Sequence, residues 1–164
     1  MLRNSSTILR IYGINDISDL NGIRKALVNG VEVNASDSEG RTLLIEAVIR
    51  GCHEIMTFLL SRGADANFRD AKTWTALHFA VQNFDILAVE ILVANGAEIN
   101  AQDEFGNSVI WRAVFNSKGR GDVLIYLVRN GADVTLKNKS GTSALDLANR
   151  ISNYEIAPFL SPIA

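Results

Sequence analysis

The stretch Gly63-Ala-Asp-Ala-Asn67 decides the fold, because closely similar strings recur along the chain at near-constant spacing. The other strings are Gly30-Val-Glu-Val-Asn34, Gly96-Ala-Glu-Ile-Asn100 and Gly131-Ala-Asp-Val-Thr135. Successive glycines in this series lie 33, 33 and 35 residues apart. A fixed period of roughly 20 to 50 residues is typical of repeat proteins, in which each unit stacks on its neighbours. The 164 residues therefore divide into about five units.

Other positions of the same register also keep one chemistry from unit to unit. They are Asp37, Asp70, Asp103 and Asn138; Thr42, Thr75, Ser108 and Ser143; Leu44, Leu77, Ile110 and Leu145; and alanine at 47, 80, 113 and 148. Thr or Ser before an apolar one-face pattern is typical of a helix start, and glycine of a helix end. In unit 37–69 the pattern predicts one helix after Thr42, a second over His53 to Ser61, and a projecting turn.

These strings, together with Asp37-Ser-Glu-Gly40-Arg-Thr42-Leu-Leu44 and Thr75-Ala-Leu77-His78, resemble the ankyrin repeat family over essentially the whole chain. The resemblance implies an all-α solenoid of about five helix-turn-helix units with hairpin-like loops. The expected units are an N-terminal capping unit (1–36), internal repeats (37–69, 70–102 and 103–137) and a C-terminal capping unit (138–164). The fourth unit carries two extra residues within Asn116 to Gly121.

Composition narrows the classes of function. Sixteen Lys and Arg against eighteen Asp and Glu give a net charge of −2, which lacks the basic footprint of a nucleic-acid-binding protein. No apolar run approaches the roughly 18 residues of a membrane span, and the first residues lack the pattern of a secretory signal. The single cysteine, Cys52, cannot form an internal disulfide. We expect a cytoplasmic protein, monomeric when free, that binds neither nucleic acid nor membrane.

Residues for catalysis are few. His53, His78 and Cys52 are the entire stock of the commonest base and nucleophile side chains. Cys52 and His53 are adjacent, so their side chains diverge, and the family resemblance implies that His78 hydrogen-bonds to the turn through Thr75. The recurring Asp and Asn residues are expected to cap their own turns and not to bind calcium. We therefore predict no catalytic residue, cofactor or metal; an enzymatic or ligand-binding groove at the lengthened turn is the weaker alternative.

The resemblance also implies a working surface. In the family, hairpin tips and the outward side of each first helix form a concave face that grips partners. The predicted partner-binding residues are Arg41, Ile49, Arg50, Lys72, Trp74, Gln82, Asn83, Glu104, Phe105, Asn107, Phe115 and Asn116. Large aromatic side chains at such positions are typical of interface anchors. The alternative is that Trp74 or Phe105 folds back on a neighbouring hairpin, while Trp111 is expected at the base of the turns.

The sequence thus predicts a non-enzymatic module that binds a protein partner. A narrower hypothesis is an immunity or inhibitor protein that neutralises a toxin or enzyme by covering it. This hypothesis rests on analogy, because the departures from the family pattern resemble those of free-standing bacterial ankyrin proteins.

Overall fold

The computed structural model describes residues 7–151 and 155–160, and these form nine α-helices and one 3-10 helix without a β-strand. The α-helices are α1 (Thr7–Ile11), α2 (Leu20–Val28), α3 (Leu43–Ile49), α4 (His53–Ser61), α5 (Ala76–Asn83), α6 (Ile86–Ala94), α7 (Val109–Asn116), α8 (Asp122–Arg129) and α9 (Ala144–Arg150), and the 3-10 helix is Ala157–Leu160. The predicted all-α repeat solenoid is confirmed. Parts of the predicted capping units, residues 1–6, 152–154 and 161–164, lie outside the described residues, and the unit boundaries stay predictions.

The first helix of each repeat begins at the recurring hydroxyl residue. The hydroxyl oxygen accepts a hydrogen bond from the backbone N–H three residues later, at 3.3 Å for Thr42 and Ser108 and 3.1 Å for Ser143. At Thr75 the same position forms a reciprocal cap with His78, whose Nδ1 lies 3.2 Å from the backbone N of Thr75. Each cap satisfies an N–H that the helix itself leaves unpaired. The predicted helix starts are therefore confirmed.

The glycine that opens each recurring string lies just after the second helix. Gly30, Gly63, Gly96 and Gly131 have φ values of +93°, +85°, +83° and +92°. This left-handed conformation ends a helix and is strained for any residue with a Cβ atom. The backbone requirement explains why glycine recurs at this position in every string.

The helices stack in two rows. In the row of first helices, α3 contacts α5, α5 contacts α7 and α7 contacts α9. In the row of second helices, α4 contacts α6 and α6 contacts α8. Between the rows, Leu44, Leu77 and Ile110 are at most 1% exposed. The alanines at 47, 80 and 113 are fully buried, because neighbouring first helices approach too closely for a larger side chain.

An Ala80→Leu substitution is expected to lower the free energy of unfolding by about 1 to 3 kcal/mol, since α5 has no space for three more carbon atoms between α3 and α7. Urea unfolding followed by circular dichroism measures the change. The control is Ala94→Leu, which makes the same change at the exposed end of α6. Equal stability of the two variants would contradict the close approach of the first helices.

The recurring Asp and Asn residues close the turns between units. One side-chain oxygen of Asp37, Asp70, Asp103 and Asn138 accepts hydrogen bonds from the backbone N–H groups two and four residues later, at 2.8 to 3.0 Å. The turn-capping role expected from the sequence is confirmed.

The asparagines that end the first three strings, which the sequence also predicts as caps of their own turns, instead join one unit to the next. The side-chain oxygens of Asn34, Asn67 and Asn100 accept from backbone N–H groups in the following unit, at 2.7 to 2.8 Å. The amide groups of Asn67 and Asn100 also donate to the carbonyls of Gly96 and Gly131. These bonds fix the spacing between successive units independently of the core.

The last described segment covers the end of the stack. Ile156 and Leu160 are buried, and the 3-10 helix contacts α8 and α9. Among the described helices the longest have nine residues, so none is long and apolar enough to cross a membrane.

Candidate partner-binding face

Eleven of the twelve predicted partner-binding residues reach the surface. Arg50, Lys72, Gln82, Asn83, Glu104, Phe105 and Phe115 are exposed, and Arg41, Ile49, Trp74 and Asn116 are half-buried. Phe105 and Phe115 are the aromatic residues that protrude most among those described, at 58% and 62% exposure. The first helices and hairpin tips therefore carry an apolar surface that the core does not use.

Five side chains of the second and third internal repeats form what we call the aromatic cluster: Trp74, Phe79, Trp111, Arg112 and Phe115. The rings of Trp74 and Phe79 are 5.1 Å apart, and those of Trp111 and Phe115 are stacked at 5.7 Å. The Arg112 guanidinium lies 4.7 Å from the Trp74 ring and 5.8 Å from the Trp111 ring. Because a cation is attracted to the faces of aromatic rings, Arg112 joins the two ring pairs.

Arg112 is held in place by a buried carboxylate. Its Nε lies 2.9 Å from Oδ2 of Asp103, its Nη2 contacts the same oxygen, and the Asp103 side chain is fully buried. Burial by itself raises the pKa of Asp103, but hydrogen bonds from Arg112 and Asn107 outweigh it and lower the pKa below its ordinary value. Asp103 therefore stays ionised and fixes the position of the guanidinium.

One sequence prediction needs correction. The sequence predicts Asn107 on the partner-facing surface, but it is only 7% exposed. Its amide group donates to Asp103 and its oxygen accepts from Asn138 at 2.7 Å, so both of its polar atoms form hydrogen bonds within the turns. Trp111 is half-buried, packs against the core and stacks on Phe115. Trp74 packs against His78 and Phe79 of its own repeat and lies under Arg112 of the next one, whereas Phe105 is 58% exposed.

Comparison with known families decides what this arrangement is. A model of ankyrin repeats matches residues 16–103 in three copies, more than half of the chain. The chain belongs to the ankyrin repeat family. Ankyrin repeats are in general modules for protein–protein interaction, which agrees with an exposed aromatic surface on the first helices and hairpin tips.

Similar curated proteins come from animals and a virus. The B-cell lymphoma 3 protein homolog of Mus musculus is 37% identical over 75% of this chain and 27% of its own length. A putative ankyrin repeat protein of fowlpox virus (strain NVSL) is 31% identical over 84% of this chain and 42% of its own length. Ankyrin repeat domain-containing protein 63 of Homo sapiens is 35% identical over 71% of this chain and 32% of its own length. The chain thus spans less than half of each relative, and a bacterial source stays a prediction.

Two charged residues of the predicted set are paired within this ankyrin repeat chain. Arg50 contacts the buried Glu46 at 2.9 Å, and Arg41 contacts Glu39 at 3.1 Å. These pairs compensate the positive charges of Arg41 before α3 and of Arg50 at its end. The exposed side chains of Lys72 and Glu104, which are in no ion pair among the described residues, remain as charges at the hairpin tips.

The sequence reading missed Phe79 and Arg112. Both occupy the position just before the alanine that recurs at 80 and 113, where the first and last repeats have Glu46 and Leu147. This position changes chemistry from unit to unit while its neighbours keep theirs, which is the signal that could have found it.

The candidate catalytic groups of this ankyrin repeat chain are dispersed. His53 Nε2 lies 2.7 Å from Asp85 Oδ2, while burial raises the pKa of the Cys52 thiol, the opposite of what a nucleophile needs. His78 is fully buried against Thr75, and burial lowers its pKa to about 4. In the part of the chain that the structure describes, no three His, Cys, Asp or Glu residues could together hold a metal ion.

Proposed function

We propose that this chain is a non-enzymatic module that holds one protein partner on the concave face formed by its first helices and hairpin tips. The observation that carries the proposal is the aromatic cluster, whose Phe115 ring is exposed, together with the exposed ring of Phe105 at a hairpin tip. Aromatic and arginine side chains dominate the binding energy of protein interfaces. Their concentration on one row of a repeat protein is best explained by an interface.

The cluster supports binding because its parts are fixed before a partner arrives. Arg112 is held by Asp103 and by two indole rings, so little side-chain freedom remains to be lost on docking. The same hairpins and first helices carry polar residues that we expect to form a rim: Lys72, Gln82, Asn83, Glu104 and Asn116. An apolar centre with a polar rim is the usual anatomy of a protein interface.

Replacing Phe105 and Phe115 together with alanine is expected to weaken the partner's affinity by about 30-fold or more, because each exposed ring loses its contact area. The partner is first captured from the native source by the unmodified chain, identified by mass spectrometry, and then titrated calorimetrically. The matched control is Leu87→Ala on α6, an equally exposed apolar residue in the row of second helices. Loss of binding in the control, with none in the double variant, would move the interface to the other row.

The narrower form of the proposal is that the partner is a toxin or an enzyme that this module inhibits by covering its active site. It adds a consequence to the same binding, namely the loss of the partner's activity at equimolar ratio. Assay of the captured partner with and without this chain separates inhibition from scaffolding. A cytoplasmic location and a monomeric free state belong to the same proposal.

A further inference from the structure

A pocket of about 280 Å³ is lined by residues of α2 and α4 and shares no lining residue with the aromatic cluster. It is lined by Arg24, Leu27 and Val28 of α2, by Phe58 of α4 and by Arg62, the residue that follows α4. Val28 is 86% exposed at its edge. The pocket combines an apolar floor with two cationic side chains, which the proposed concave-face function does not use.

The two arginines are held over one ring. The guanidinium carbons of Arg24 and Arg62 lie 5.3 Å and 5.1 Å from the centre of the Phe58 ring. Neither arginine forms an ion pair within the described residues, and neither does Glu54, which lies one turn before Phe58 on α4. Both guanidinium groups therefore lie beside one ring and have no carboxylate partner among the described residues.

Comparison between the repeats shows that Arg62 is exceptional. The equivalent residues in the other units are Asn29, Asn95 and Asn130. The side chains of Asn95 and Asn130 each donate a 2.8 Å hydrogen bond to the carbonyl four residues earlier, which closes the helix end. The side chain of Arg62 does not make this bond, and its guanidinium lies over the Phe58 ring instead. Closure of the helix therefore does not explain the arginine at this position.

We propose that this pocket binds an acidic peptide segment of a protein partner, with one aliphatic side chain in the pocket and carboxylates on Arg24 and Arg62. Guanidinium groups pair with carboxylates through two parallel hydrogen bonds. Helix α2 contains Arg24 and Lys25 and no acidic residue, although the whole chain has a net charge of −2. The volume of about 280 Å³ suits a single side chain better than a drug-sized ligand.

The probe is a fluorescein-labelled nine-residue peptide with a central leucine flanked by Asp and Glu, titrated by fluorescence anisotropy. The expected result is binding that weakens as salt rises and falls roughly tenfold or more in an Arg24→Gln/Arg62→Asn variant. Asparagine is the residue that the other repeats carry at position 62, so this variant is designed to keep the helix end. The control variant Arg129→Gln changes an exposed arginine at the end of α8 and should bind as the unmodified chain does.

Three comparisons can overturn the proposal. It fails if the peptide does not bind, or if the double variant binds it as well as the unmodified chain. It fails if a peptide with Asn and Gln in place of Asp and Glu binds equally well, or if free hexanoate displaces the peptide at equal concentration, since a small fatty acid is then the ligand. It fails also if the Phe105→Ala/Phe115→Ala variant loses the peptide, because the acidic segment then binds on the concave face.

Discussion

Replacement of Asp103 by alanine is expected to lower the free energy of unfolding by about 3 to 5 kcal/mol, the usual cost of breaking a buried ion pair. One carboxylate oxygen accepts from the backbone N–H groups of Phe105 and Asn107, both at 2.9 Å. The other binds the Arg112 guanidinium and the Asn107 amide. The substitution removes all these acceptors and leaves Arg112, whose side chain is 19% exposed, without its counter-ion. Urea unfolding measured by circular dichroism tests it.

Two further variants separate the stability contributed by the turn cap of Asp103 from that contributed by its ion pair with Arg112. Asp37→Ala removes the equivalent turn cap in the first internal repeat, where no arginine is attached, and is expected to cost about 1 to 2 kcal/mol. Asp103→Asn keeps an oxygen for the turn, as Asn138 does naturally, but removes the charge that pairs with Arg112. If Asp103→Ala is no more destabilising than Asp37→Ala, the ion pair does not stabilise the fold.

The same variants connect stability with the proposed binding face. Arg112 lies between the rings of Trp74 and Trp111 because Asp103 holds it from beneath. Without the carboxylate charge the guanidinium has more freedom, and partner binding must then restrict it at an entropic cost. Asp103→Asn should therefore weaken partner binding although Asp103 itself is buried.

The parts of the fold that follow from the sequence are those set by local backbone geometry. Glycine at 63 and 96 is required by a positive φ, and Thr42 caps a helix through the next turn of the same chain. Such requirements involve residues close in sequence, so they appear as residue types repeated at fixed spacing. The recurring buried alanines follow similarly, because each unit repeats one helix-to-helix distance.

The turn at Thr73 forms against the conformational preference of its own residue. The equivalent residues are Gly40, Gly106 and Gly141, all with positive φ, and Thr73 adopts φ +60° although it is β-branched. This conformation is strained by roughly 1 kcal/mol or more. The turn forms because Asp70 accepts from the backbone N–H groups of Lys72 and Trp74. No rule based on the preference of threonine alone predicts it.

The candidate site was less predictable because it depends on which side chains of neighbouring units meet. Asn107 has the position of a hairpin-tip residue, yet its side chain is buried and accepts a hydrogen bond from Asn138 of the next unit. Arg112 and Asp103 are nine residues apart, a spacing that neither a helix nor a turn rule connects. Only stacking brings Arg112 against Trp74 of the preceding repeat.

Lowering the pH from 7 to 4 is expected to destabilise the fold by about 3 kcal/mol through His78 alone. Burial lowers the pKa of His78 from an ordinary 6.5 to about 4, with Arg69 and Arg112 acting in the same direction and Asp103 opposing them. Between these two values the unfolded chain binds a proton that the folded chain does not, so stability falls as the pH falls. A difference of roughly 2.5 pKa units corresponds to about 3 kcal/mol.

Urea unfolding at a series of pH values between 7 and 4 measures the slope of the free energy of unfolding against pH. A His78→Gln variant should have a smaller slope. The control is His53→Gln, which also removes one histidine but leaves the buried ring in place, and it should retain the contribution of His78. Asp103 does not obscure the result: its pKa lies below the ordinary 3.8, so its stabilising contribution is lost only at lower pH. An unchanged slope in His78→Gln would mean that the buried imidazole is not what makes the fold sensitive to acid.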